Sequence, residues 1–329
     1  MSTAARVAPK DYFTPEEWAP LAKKSAWKGP WLVAHAWLVI LAAGAATLAW
    51  PFLLPLAVMI IGARQLGLAI LMHDAAHSAL HGDMRINDLL GDKLTPGGLL
   101  QYRIYHLGHH KFAQQAEDHL GLSAPFPITR LSLRRKILRD LTGQTHFKQR
   151  WAPLFKRLAR PQAGETRPGI TRKFIANRWR FFAGAAVTIA LTAPFGFWWA
   201  WFALWWLPQA TWYPMITRLR NIAEHACIAK DEPDPLRHAR TTHASRLERA
   251  FLAPYWVNYH CEHHMFMHVP CYNLPAAHRL LSAKGVLSGM LTAPSYLDVL
   301  RQASSRPAGQ DNGGNATPEA RGVVRTAIQ

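Results

Sequence analysis

Residues 52–77 read FLLPLAVMIIGARQLGLAILMHDAAH, an apolar run with one arginine that ends in two histidines. Its apolar part, about 20 residues long, matches the ~30 Å hydrocarbon core of a bilayer. His73 and His77 are four residues apart, so on a helix both imidazoles lie on one face. The stretch predicts a transmembrane helix whose last turns rise beyond the membrane and present two imidazoles to one site.

Two long segments lack Asp, Glu, Lys and Arg: 35 residues between Lys28 and Arg64, and 37 between Arg180 and Arg218. Each is long enough for two crossings, and turn-forming prolines lie near the midpoints. A pair of buried core helices in a soluble protein is the alternative, but core helices rarely reach this length without a charge. We predict an all-α membrane protein with two transmembrane helix hairpins, whose four spans are about 31–50, 52–72, 181–193 and 197–217.

The formal net charge of +18 is distributed in a way that opposes nucleic-acid binding. Neither hairpin tip carries Lys or Arg, whereas every polar segment does, and the positive-inside rule places such segments in the cytosol. The sequence therefore predicts an integral, multi-pass membrane protein whose termini and active site are cytosolic. The predicted parts are a cytosolic lead, a main domain with its cytosolic cap, and a disordered tail: 1–30, 31–300 (cap 73–180 and 218–300) and 301–329.

Nine histidines fall into four clusters, HDAAH, HLGHH, NIAEH and HCEHH. Imidazole binds iron, copper, nickel and zinc, and nine exceed the three or four protein ligands that are usual for hydrolytic zinc. The number suits two ions, and no catalytic residue is predicted beyond the ligands. The three cysteines form no CxxC pair that would suggest a thiolate site. The predicted metal ligands are His73, His77, His106, His109, His110, His225, His260, His263 and His264.

The order of HxxxH, HxxHH and HxxHH, with apolar hairpins between them, resembles the membrane fatty acid desaturase superfamily over roughly residues 31–290. The resemblance implies four transmembrane helices under a cytosolic helical cap that holds a di-iron site. It also implies two iron ions as cofactors, molecular oxygen as co-substrate, and removal of two hydrogens from an acyl chain. Asn221 and His225 resemble the family's NxxxH pair, in which the His is a ligand and the Asn holds water near the metal.

Several residues beside the boxes bear on the subclass or on the support of the ligands. The segment HHKFAQQAEDHLG keeps an acidic residue at Asp118 but has His119 where the family commonly has proline. Glu262 lies between ligands of the last box, while Asp74 and Glu224 flank ligands directly. We expect these three carboxylates to brace neighbouring imidazoles.

The leading functional interpretation is a membrane-bound fatty acid (acyl-chain) desaturase. The nearest alternative is a hydroxylase or ketolase that acts on a lipid or carotenoid with the same iron site. A metal transporter or sensor is disfavoured, because transporters place polar ligands inside the bilayer, where this chain has only His35 and Arg64.

The predicted partners follow from what the chain lacks and from its charge. It has no CxxC set, no HPGG haem motif and no GxGxxG loop after a strand. We therefore expect an external electron donor of the ferredoxin, rubredoxin or cytochrome b5 type. Such donors are generally acidic, and the basic cap would attract them. The other expected partner is a lipid acyl substrate in the membrane, with no nucleic acid.

Overall fold

The computed structural model describes residues 4–95, 97–115, 117–118 and 126–308, which are largely helical. His119 and residues 309–329 of the predicted tail lie outside the described residues. Two short strands accompany the helices, β1 (Thr241–Thr242) and β2 (Thr292–Ala293). The α-helices of the described residues are α1 (Pro15–Ala22), α2 (Lys28–Ala49), α3 (Leu54–Ala76), α4 (Met84–Lys93), α5 (Leu99–Lys111), α6 (Arg130–Leu141), α7 (Gln144–Arg150), α8 (Ala152–Ala159), α9 (Arg167–Asn177), α10 (Trp179–Thr192), α11 (Leu207–Ala210), α12 (Trp212–His225), α13 (Arg246–Phe251), α14 (His260–Met265), α15 (Leu274–Ala283) and α16 (Tyr296–Ala303).

The all-α prediction is confirmed, and the first apolar segment forms helices of membrane-spanning length. Lys28–Ala49 is 22 residues long and Pro51–Ala76 is 26, and the mean hydropathy of an 18-residue window reaches 2.0 in the first and 1.9 in the second. Both exceed the length of about 20 apolar residues that a bilayer requires. The predicted first hairpin therefore has the two helices that it needs.

The second apolar segment is interrupted, and its apolar helix Trp179–Phe195 is shorter. The 3-10 turn at the end of this helix is followed by Gly196, whose backbone is left-handed (φ 80°). Only glycine adopts that conformation freely. The chain then forms a π-helical turn, Phe202–Trp206. Pro208 is the second residue of α11, which follows directly, and it lacks the backbone N–H that would donate to a carbonyl of the π-helical turn. The four predicted spans stay a prediction, with two of them present as uninterrupted helices.

The chain forms two compact units. The first unit lies within Met1–Trp37, Ala63–Arg134 and Ile216–Ile328, and the second within Leu38–Gly62 and Arg135–Met215. In the second unit, aromatic side chains pack on one another: the rings of Phe181 and Trp201 are 4.8 Å apart. All the box histidines belong to the first unit.

Helix α3 is buried on nearly all sides in the first unit, which suits its apolar surface all round. Two glycines allow neighbours to reach it closely. A Cβ at Gly67 would lie 2.5 Å from Cε2 of Tyr255, and a Cβ at Gly91 of α4 would lie 2.3 Å from Cβ of Ala75. These contacts fix the end of α3, where the first histidine box begins.

The two strands, which the sequence pattern did not predict, position α14. Strand β1 pairs in parallel with β2, with Thr241 opposite Thr292. The hydroxyl of Thr241 accepts a hydrogen bond from the N–H of Cys261 (3.2 Å) and donates one to Glu262. The strand thereby holds the helix that carries the third histidine box.

The N-terminal lead packs on the same unit. The N–H of Ala4 donates to the carbonyl of Lys111, at the end of α5 (2.9 Å). The rings of Phe13 and Trp18 lie 5.2 and 5.5 Å from the ring of Phe266, just beyond α14. The described part of the lead therefore contacts two helices that carry histidine boxes.

Candidate metal centre

Four helices of the first unit bring the nine predicted histidines together. Helix α3 carries His73 and leads directly to His77, α5 carries the second box, α12 ends at His225, and α14 begins at His260. Eight of the nine side chains are buried, and His264 is half-buried. Clusters that begin 187 positions apart in the sequence, at His73 and His260, thus lie together in one buried region.

Five of these imidazoles have ligand nitrogens that all lie within 4.8 Å of one another. Nε2 of His110 lies 3.0 Å from Nε2 of His106 and 3.1 Å from Nε2 of His263. Both ring nitrogens of His77 are buried and have no hydrogen-bond partner among the described residues. Buried polar atoms of this kind call for an explanation such as an ion. The five-histidine site consists of His73, His77, His106, His110 and His263.

The other four imidazoles form an adjoining group. The ligand nitrogens of His109, His225 and His264 lie within 4.8 Å of one another, as do ligand atoms of His225, His260 and Glu224. Nε2 of His109 is 3.4 Å from Nε2 of His264, and Nε2 of His225 is 2.9 Å from Nε2 of His260. The two groups share His225, and we call their four histidines, His109, His225, His260 and His264, the four-histidine site.

Each HxxHH box contributes to both sites, in opposite proportions. In the second box the two histidines that are four residues apart belong to the five-histidine site, and His109 belongs to the four-histidine site. In the third box the corresponding pair belongs to the four-histidine site, and His263 to the five-histidine site. Residues four apart nearly coincide around a helix, whereas adjacent residues diverge by about 100°. One short box can therefore reach two ions.

The spacing of the ring nitrogens fits metal ions. Two nitrogens bound to one ion at about 2.0–2.1 Å, at angles between roughly 90° and 110°, lie about 2.8–3.4 Å apart. Four Nε2–Nε2 separations within the two sites are 2.9, 3.0, 3.1 and 3.4 Å, and the ligand atoms of each group all lie within 4.8 Å of one another. The nine histidines thus fit two ions of a metal that accepts imidazole, such as iron or zinc.

The protonation state also suits metal binding. Burial, together with neighbouring imidazoles, lowers the pKa of His106, His110 and His263 well below the ordinary value. The same causes lower the pKa of His260 and His264. These rings are therefore neutral near pH 7, which is the form that binds metal.

One carboxylate braces a predicted ligand from its outer side. The oxygens of Asp118 lie 2.9 and 3.0 Å from Nδ1 of His109, whose Nε2 faces His264. An N–H at Nδ1 that donates to a carboxylate leaves Nε2 free to bind metal. Asp118, which the sequence matched only to an acidic family position, thus orients His109.

Two other carboxylates make different contacts from those expected. Glu262 pairs with Nδ1 of His278 on α15 (2.5 Å) and accepts a hydrogen bond from Thr241. It anchors α14, and the expectation that it braces a ligand imidazole is wrong. Asp74 accepts a hydrogen bond from the N–H of Cys271 (2.8 Å), and its other oxygen is 3.6 Å from Nδ1 of His73. Glu262 thus binds two side chains outside the ligand set, and Asp74 binds the backbone at Cys271.

Helix α12 supplies the remaining predicted site residues. Asn221 is half-buried one turn before His225, and its amide oxygen accepts a hydrogen bond from Arg220 (2.9 Å). The end of α12 is capped by Arg240, which donates to the carbonyls of Ala223 (3.0 Å) and Ala226 (2.9 Å). A cation that satisfies the last carbonyls of a helix stabilises its end. Sequence reasoning missed Arg240, because no local pattern links it to α12.

Comparisons with known proteins agree with this site. Residues 48–292 match the sequence model of the fatty acid desaturases, a range that contains all nine histidines. Dihydrorhizobitoxine desaturase of Bradyrhizobium elkanii is 26% identical to the chain over 277 residues. The alignment covers 75% of this chain and 73% of that protein.

Proposed function

This chain belongs to the fatty acid desaturase family, and on that premise we propose that it is an oxygen-dependent, di-iron desaturase of membrane acyl chains. Its family and its relative make it an oxidoreductase of the desaturase type. The observation that carries the proposal is the convergence of nine box histidines into two adjoining, buried sites. Nine imidazoles are more than one ion accepts, which supports two ions.

The residues of the site have distinct roles in this proposal. The nine histidines hold the irons, and Asp118 keeps Nε2 of His109 directed at its ion. Asn221 holds water near the centre, as the resemblance implies. Two bound irons would supply the oxygen chemistry that removes hydrogen from an unactivated carbon chain. Burial of the imidazoles keeps water from that chemistry.

The substrate that we propose is a lipid acyl chain. Two apolar helices of spanning length, in a member of this family, indicate a membrane protein. Lipid acyl chains are found in that membrane. The relative's name gives its substrate as dihydrorhizobitoxine, so the substrate test includes that compound beside the lipids. Hydroxylation or ketolation of a lipid or carotenoid is the competing reaction, because it would use the same ligands.

We also propose four membrane spans, with the histidine sites and both termini in the cytosol. The charge-free segments and the positive-inside rule support this topology. An external redox protein would deliver electrons on the basic cytosolic side. Cysteine labelling near Pro51 and Pro194 from outside intact cells tests the topology, and labelling of the 81–180 segment by the same impermeant reagent contradicts it.

The function is tested by expressing the chain in a host membrane and analysing its lipids by mass spectrometry, with and without the gene. Desaturation predicts acyl chains with two hydrogens fewer, formed only when oxygen is present. Products with one added oxygen atom would support the hydroxylase instead. His263→Ala is the inactive variant, and His243→Ala, an exposed histidine outside both sites, is the matched active control. No oxygen-dependent product from the lipids, from a carotenoid or from dihydrorhizobitoxine would refute the proposal.

A further inference from the structure

A carboxylate lies among the imidazoles of the four-histidine site. Glu224 directly precedes His225 at the end of α12, and its side chain is almost fully buried. Its Oε2 is 3.5 Å from Nε2 of His260, and it shares a group of potential ligand atoms with His225 and His260. The separation is close to the upper end of the roughly 2.8–3.4 Å expected for two ligands of one ion.

The side of the ring that each carboxylate faces distinguishes a brace from a ligand. Asp118 contacts Nδ1 of His109, the nitrogen that points away from the site. Glu224 instead approaches Nε2 of His260, the same nitrogen that lies 2.9 Å from Nε2 of His225. A carboxylate that orients a metal ligand contacts its outer nitrogen. Glu224 therefore lies on the inner side, where an ion would be.

The partners of Glu224 leave part of its carboxylate available. Nη2 of Arg220, one turn earlier on α12, lies 3.0 Å from Oε2. Both oxygens are buried, and neither has a hydrogen-bond partner among the described residues, so Arg220 contributes an ion pair only. A buried, ionised carboxylate is costly unless it is paired or coordinates a metal. The charge of Arg220 offsets part of this cost, and an ion at the four-histidine site would bind the carboxylate at Oε2, the oxygen that faces His260.

We propose that Glu224 is a ligand of the ion at the four-histidine site, an inference that rests on the proposed di-iron function. The two ions would then be unlike. The ion at the five-histidine site has neutral imidazoles only, whereas its neighbour also has one negative charge. That charge favours the more oxidised state of the neighbouring iron by simple Coulomb attraction.

The experiment measures bound iron in detergent-purified full-length protein after dialysis against a chelator. We expect about two irons per chain in the unchanged protein and about one in Glu224→Ala, since the five-histidine site keeps all its ligands. Glu262→Gln is the matched control: it also alters a buried carboxylate beside box histidines, but one that faces Thr241 and His278. It should keep about two irons.

Mössbauer spectra of ⁵⁷Fe-loaded Glu224→Gln provide the second measurement, because this variant keeps the size of the side chain if Glu224→Ala fails to fold. We expect the Mössbauer signal of the iron at the four-histidine site to change and that of the iron at the five-histidine site to stay the same. Unchanged spectra in Glu224→Gln, or two tightly held irons in Glu224→Ala, would overturn it. If the protein without any substitution binds no metal, the proposed function itself is refuted.

Discussion

The five-histidine site and the four-histidine site are built from the same residue type, yet helices contribute to them differently. Helix α3 and the residue just beyond it supply two histidines to the first site, and α12 supplies one histidine to the second. Helices α5 and α14 contribute to both. Each HxxHH box contributes histidines to both sites, so a shift of one box would change the geometry of the two sites together.

The two sites also differ in their charged surroundings. The four-histidine site has Asp118 behind His109 and Glu224 on its inner side, with Arg220 paired to Glu224. In the five-histidine site, Asp74 lies 3.6 Å from Nδ1 of His73, beyond hydrogen-bonding distance. We infer that the two ions would differ in charge and in how rigidly their ligands are held.

Removal of one ligand from each site should have the largest effect. We expect His263→Ala in the five-histidine site and His109→Ala in the four-histidine site each to abolish turnover, because both irons act together. Each variant should lose the iron of its own site and still insert into the membrane. Oxygen-dependent product and bound iron are the measurements. Full activity in either variant would break the assignment of nine ligands to one centre.

Substitution of Asp118, which contacts Nδ1 of His109, should have a smaller effect that is confined to the four-histidine site. Asp118→Asn keeps the shape of the side chain but weakens the orientation of His109, so the iron affinity of the four-histidine site should fall about 10–100-fold. The affinity of the five-histidine site should change little. Metal titration of the apo protein measures both constants. An equal loss at both sites would show that Asp118 acts on general stability.

Acidification should destabilise the metal-free protein, and this effect is shared by the two sites. Burial lowers the folded-state pKa of His110 and His263 in the five-histidine site, and of His260 in the four-histidine site, below the ordinary 6.5. The unfolded chain therefore takes up more protons as the pH falls below about 6.5, and stability declines until the folded pKa values are reached. Each such histidine removes up to about 1.4 kcal/mol per pH unit.

Thermal unfolding of the metal-free protein between about pH 7 and pH 5 measures this decline. His110→Gln should make the dependence shallower by one proton, whereas the exposed His243→Gln should leave its slope nearly unchanged. A midpoint of unfolding that is constant across this range would contradict the burial of neutral imidazoles in both sites.

The sequence is sufficient to propose the nine candidate ligands, but it does not show how they divide between two sites. Spacings of three and four place the histidines of a box on one face of a helix, which is sufficient to identify His106, His109 and His110 as candidates. The assignment of His109 to one site and its neighbours to the other depends on the crossing of α3, α5, α12 and α14. That crossing depends on packing between distant parts of the chain, such as the close approach of Gly91 on α4 to Ala75 of α3 and Leu99 of α5.

The supporting residues show the same limit. Glu262 and Glu224 both stand beside box histidines in the sequence, yet one faces β1 and α15 and the other faces the four-histidine site. Their directions follow from helix orientation, which local pattern does not contain. The second apolar segment was predicted as two spans from its lack of charge. Gly196 lies at the turn between those spans, whereas the π-helical turn Phe202–Trp206 within the last predicted span is a local irregularity that the pattern did not predict.

The central claim is that the nine histidines hold two metal ions. The most direct measurement is the ratio of bound metal to protein in the purified full-length chain, counting iron and any zinc that replaces it. We expect about two metal ions per chain in the protein without substitutions, and about one in a variant that lacks a single ligand of either site. One ion in the unchanged protein, or none, would contradict the two-site arrangement.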